Sequence, residues 1–254
     1  MYRVPAAAVA LLLAAPAWSQ MTADQIRTHL TLDESSIKIT RLGPSLHQTD
    51  IPAPLKVPGG DGVIPVLDDI INIGTKIWKI VEDGKPVVDV KTQYATALPK
   101  GITNWGDMAG WQPPVGTVYE LTAQNGFHDT VIDLRYQVLR TYGGNYDGKG
   151  KYLTAVTVEP LYWNVAWGYT FGVDATIPDT SIVNVGTSAD PVAGMLVQLG
   201  WRISTPIKAS SGQSVYFVQG DGVFREIGGP FANKSLEKAA SAAAAAAGGA
   251  PRFD

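Results

Sequence analysis

The strongest constraint in this sequence is a two-residue period that recurs, with breaks at glycine and aspartate, between residues 119 and 227. Tyr119, Leu121 and Ala123 alternate with Glu120, Thr122 and Gln124. Ile132, Leu134, Tyr136 and Val138 alternate with Asp133, Arg135 and Gln137. Strict alternation sends neighbouring side chains to opposite faces, so each run reads as a strand with one buried face. Glycine-rich Gly143–Gly150 turns the chain back into Tyr152, Thr154, Val156 and Val158, which predicts a hairpin. Trp163 to Ile177 keeps one register for so long that a bend is expected near Gly168 or Gly172. A further run from Met195 to Ile207 precedes a second hairpin, Ser214–Gln219 with Val223–Ile227 across Gly220-Asp221-Gly222. Upstream, Val88, Val90, Tyr94 and Leu98 alternate with Asp89, Lys91 and Gln93. The parity places Trp163, Trp167 and Trp201 in the core.

About eight or nine such strands joined by Gly/Asp turns define a mainly β chain, an antiparallel β-sandwich. An outer-membrane barrel also alternates, but irregular strand spacing and a non-strand terminus weigh against it. One segment breaks the pattern. Between Val63 and Val81, residues Val66, Leu67, Ile70, Ile71, Ile73, Ile77, Trp78, Ile80 and Val81 fill one side of a helical wheel. This spacing predicts an amphipathic helix over 63–81, with Asp68 and Asp69 early and Lys76 and Lys79 late, as the helix dipole favours. It is expected to pack on the sandwich. A marginal alanine-rich helix is expected after Asn233.

The ends suggest a domain plan. Arg3, the apolar run Val4–Ala17 and small residues at Ala17 and Ser19 form a secretory signal over residues 1–19. The apolar run is about 14 residues, shorter than the roughly 20 that span a bilayer. Residues 20–60 read as a polar arm with one short strand, Ser36–Leu42, set off by Pro52, Pro54 and Pro58. Residues 61–232 form the helix-plus-sandwich domain, and 233–254 a tail. The expected location is therefore periplasmic or extracellular.

Composition narrows the chemistry. The 254 residues contain no cysteine, which removes disulfide scaffolds, and 20 Lys+Arg stand against 23 Asp+Glu. That slightly acidic balance speaks against nucleic acid as a partner. A 45% hydrophobic content suits an ordinary globular core. The three histidines, His29, His47 and His128, form no metal-ligand spacing, and His128 falls in an exposed turn. No nucleophile elbow, calcium loop or phosphate cradle is present in Gly186–Asp190, Asn145–Lys149 or Gly59–Gly62. The sequence therefore gives no catalytic residue, no metal ligand and no cofactor.

The expectation is an exported, non-enzymatic protein that binds or self-assembles, as a homo-oligomer or with a surface protein. Ile37 and Ile39 on the isolated arm are the candidate interface, a strand to add to a neighbour's sheet edge. A second expectation is membrane activity, with Ile70, Ile77 and Trp78 of the 63–81 helix entering lipid. The layout of helix, cysteine-free sandwich and tryptophan loop over residues 61–232 resembles that of actinoporin-type pore formers. A third is glycan binding by Trp105 and Trp111, two indoles on the Gly/Pro-rich loop Pro99–Pro114.

Overall fold

The alternating runs become the strands of two antiparallel sheets in the computed structural model, which describes residues 21–46, 64–87 and 93–230. The signal-like segment, Val88, Val90, His47 and the alanine-rich tail lie outside these residues. In chain order the elements are α1 (Ala23–Leu30), β1 (Leu32–Pro44), β2 (Val66–Ile71), β3 (Ile77–Glu82), β4 (Lys85–Pro86) and β5 (Ala95–Lys100). They continue with β6 (Val115–Asn125), β7 (Thr130–Tyr146), β8 (Lys149–Val165), β9 (Thr170–Thr176) and β10 (Val183–Asn184). The last three are β11 (Ala193–Ser204), β12 (Ala209–Gln219) and β13 (Phe224–Gly228). Sheet 1 has the order β1-β6-β7-β8-β5-β2, and sheet 2 the order β13-β12-β11-β9-β3-β4 with β10 beside β11. This is the expected sandwich.

Both predicted hairpins are present. β7 and β8 pair from Ile132↔Val165 to Tyr146↔Lys149, and β12 and β13 pair across the Gly220–Gly222 turn. Their apolar parity is buried: Ile132, Leu134, Tyr136 and Val138 of sheet 1 share one core with Met195, Val197, Leu199, Trp201 and Ile203 of sheet 2. Each large aliphatic side chain so placed contributes about 1.5–3 kcal/mol. Tyrosine hydroxyls tie the layers together: Tyr136 of β7 hydrogen-bonds Tyr216 of β12, and Tyr119 of β6 donates to Glu226 of β13 at 2.7 Å. Burial pushes the hydroxyls of all three tyrosines well above the usual phenol range, so they act as neutral partners.

The long 163–177 run bends at Gly168, where the chain leaves sheet 1 for sheet 2 with φ +78°. A Cβ there would lie 2.5 Å from Leu30 Cδ2, so only glycine lets α1 close on the turn. Trp163 and Trp167 beside this bend are 43% and 47% exposed, which corrects their core assignment; Trp201 is buried. Strand parity fixes the side a residue faces, not whether anything is packed there.

The predicted 63–81 helix is overturned. Its two halves are strands β2 and β3, which belong to opposite sheets. Between them Asn72 Oδ1 accepts hydrogen bonds from Gly74 N and Thr96 N, both at 2.9 Å, and Thr75 N donates to Tyr94 O. That side-chain-closed turn competes directly with helical hydrogen bonding. The segment is also rich in β-branched Val and Ile, which suit a pleated surface. The helix packed beside the sheets is instead α1, closed by a Thr22/Gln25 capping box.

The polar arm is corrected as well. β1 pairs with β6 from Leu32↔Asn125 to Pro44↔Thr117 within the same chain. Ile39 is fully buried, Ile37 packs against the core, and Ile39 N donates to Pro230 O at 2.8 Å beyond β13. The segment proposed for donation to a neighbour is thus an edge strand of its own sandwich.

Candidate functional site

The outer face of sheet 2 carries an open groove of about 580 Å³ over β3, β9 and β11. Register builds it. Lys79, Asp174, Gly200 and Gln213 form one cross-strand row, and Gly172, Arg202 and Ser211 form the next. Gly172 leaves its part of the floor without a side chain. Gly172 is open: a Cβ there would meet only Val81 O, at 3.7 Å. At Gly200 a Cβ would sit 3.2 Å from both carboxylate oxygens of Asp174, so that carboxylate covers Gly200 in place of a side chain.

The charges are unusual in how little they neutralise one another. Lys79, directly opposite Asp174, instead forms an ion pair with Glu82 three residues along its own strand. Asp174 and Arg202 side chains make neither a hydrogen bond nor an ion pair among the described residues. They sense each other through space. Partial burial pushes the Asp174 carboxyl above the usual carboxylate range, and the Arg202 charge partly offsets that rise. Thr170 and Ser204 add hydroxyls at one end, and Ile77, 66% exposed, adds an apolar flank. The arrangement offers an acceptor and a donor, both unsatisfied within the chain, above a flat backbone floor.

The expected site residues lie elsewhere. Trp105 and Trp111 pack on the core, edge to face with ring centroids 5.9 Å apart. Trp111 Nε1 donates to Trp105 O at 3.1 Å, Trp105 Nε1 donates to the Tyr94 hydroxyl at 3.4 Å, and the Trp111 ring lies against Gly144. Their polar edges are spent inside the fold, so the pair closes one loop instead of forming an open platform. Ile77 and Trp78, expected on one lipid-facing side, point opposite ways: Trp78 is 4% exposed, and Ile70 is half-buried against the core. No helix among the described residues is long and apolar enough to cross a membrane. His128 stands in the exposed turn before β7 at φ +66°. No group of three His, Asp or Glu side chains among the described residues is close enough to hold a metal.

Alternation alone puts Gly172, Asp174, Gly200 and Arg202 on the outer parity of their strands and goes no further. The missing information was that β9 and β11, separated by β10, are neighbours in the sheet. Compared with protein-family models, curated proteins and solved structures, the chain matches none.

Proposed function

We propose that this is an exported, non-enzymatic binding module whose ligand lies in the groove on sheet 2. The observation that carries this reading is the unpaired Asp174 and Arg202 beside the open Gly172 floor. Both side chains are exposed, so water solvates them in the free protein; opposite charges on successive rows nonetheless leave each other unpaired, and the sheet gives up side-chain packing at Gly172 beside them. Export rests on the three-part layout of residues 1–19.

Binding is favoured over assembly by strand exchange because the sheet edges are poor templates. β1 pairs with β6 through two register shifts, β13 contains another, and β4 is a two-residue strand ending in Pro86. The test is a nuclear magnetic resonance titration of the full chain against a library of small polar compounds, with light scattering beside it. Expected are a monomer and shifts centred on Gly172, Asp174, Gly200 and Arg202. Shifts confined to the Trp105/Trp111 loop, or a stable oligomer with no groove response, would replace this reading.

A further inference from the structure

The geometry points to a neutral saccharide, held through adjacent hydroxyls, as the ligand class of the sheet 2 groove; this inference rests on the binding role proposed above. Charge balance comes first. Lys79 and Arg202 face Glu82, Asp83 and Asp174 around the groove. A phosphate or sulfate would meet three carboxylates, and a polyamine would meet two cations. A neutral ligand avoids both penalties, provided that it can satisfy the two side chains the chain leaves unpaired.

Neighbouring hydroxyls do so. A carboxylate accepts from two O–H groups at once, while a guanidinium donates to their oxygens, and charge-assisted bonds of this kind are roughly twice as strong as neutral ones. Asp174 and Arg202 occupy successive rows on adjacent strands, so their side chains flank one patch of floor. Between them Gly172 places only backbone on the floor, which suits the edge of a sugar ring. Thr170 and Ser204 extend the hydroxyl-bonding wall, and exposed Ile77 can cover C–H surface. A volume of about 580 Å³ exceeds what a single free amino acid fills, so a zwitterion satisfying the same two charges would leave most of the groove to water.

The experiment is isothermal titration of the full chain with neutral oligosaccharides, free amino acids and inorganic phosphate. Asp174→Asn and Arg202→Gln are compared with Glu120→Gln on sheet 1, and the melting temperature is recorded for each variant. Neutral oligosaccharides should bind, and either groove variant should weaken them at least tenfold without lowering the melting temperature. Glu120→Gln should leave that binding unchanged. If Asp174→Asn melts early, Gly172→Ala replaces it, since that floor position has room for a Cβ. Binding of amino acids or phosphate alone, lost in Arg202→Gln, would overturn the saccharide assignment and leave the groove as a site. Oligosaccharide binding indifferent to both groove variants, or no binding by any of the three probes, would overturn both.

Discussion

The two outer faces of the sandwich differ in where their polar side chains find partners. On sheet 1, Arg135 donates to Glu120 at 2.8 Å and lies over the Tyr162 ring at 5.4 Å, while Gln137 donates to Glu159. These pairs join neighbours across the strands, whereas Asp133 on the same face keeps one carboxylate oxygen buried without a hydrogen bond. On sheet 2, Asp174 and Arg202 stand in adjacent rows and remain unpaired. The glycines differ in the same sense: Gly116 on sheet 1 is crowded by Gln137 and Ser45, while Gly172 on sheet 2 is open. The difference teaches how to separate roles within one fold. Where polar groups and glycines are covered by the chain itself they serve packing, and where they stay open to solvent, as Asp174, Arg202 and Gly172 do, a ligand can reach them.

The largest effect tests whether sheet 1 is complete without a second chain. Ile39→Asp places a carboxylate in the shared core, where nothing pairs with it, and should cost on the order of 3–5 kcal/mol by denaturant titration. A folded monomer that has merely lost an oligomer would instead make β1 an exchanged strand and break the comparison.

The glycine pair comes next. In Gly116→Ala the new Cβ would fall 2.5 Å from Gln137 Oε1 and 2.7 Å from Ser45 Cβ, so the variant should lose about 1–3 kcal/mol. Gly172→Ala meets no such obstacle and should be neutral or gain up to about 1 kcal/mol, because alanine restricts the unfolded chain. Equal losses at the two positions would show that the groove floor is packed like sheet 1. A smaller contrast lies in the charges. Glu120→Gln should lower the melting temperature slightly, less than Gly116→Ala does, because its partner Arg135 is in water.

These differences also mark what the sequence could reveal. Period-2 runs were legible because one face of every long strand is buried by the opposite sheet, as Ile132 to Val138 and Met195 to Ile203 show. The 63–81 segment misled because its apolar spacing fits a helical wheel as well as two strands around a turn; the decisive Asn72–Thr96 contact joins residues 24 apart. Helix α1 was readable from Thr22-Ala23-Asp24-Gln25, a capping box in plain view. The groove was half legible. Alternation puts Asp174 and Arg202 on outer faces, but only tertiary pairing of β9 with β11 sets them beside each other.

The subtlest prediction concerns the coupling of those two charges. Partial burial raises the Asp174 carboxyl, while Arg202 pulls it back, so removing the arginine charge should raise it further. Carboxyl-carbon magnetic resonance titration of Asp174 in wild type and Arg202→Gln measures this; an unchanged midpoint would mean the groove charges do not act as a pair. The sign also carries to stability. A carboxyl whose native value is raised above its unfolded one costs nothing below the ordinary carboxylate range. The cost grows as pH rises through the raised value, and it is complete above it. Asp174→Asn should therefore match wild type in acid and be at least as stable at neutral pH. A native sheet that keeps an ionised carboxylate at such a position forgoes stability there, and a ligand on Asp174 is the interaction that would offset the loss.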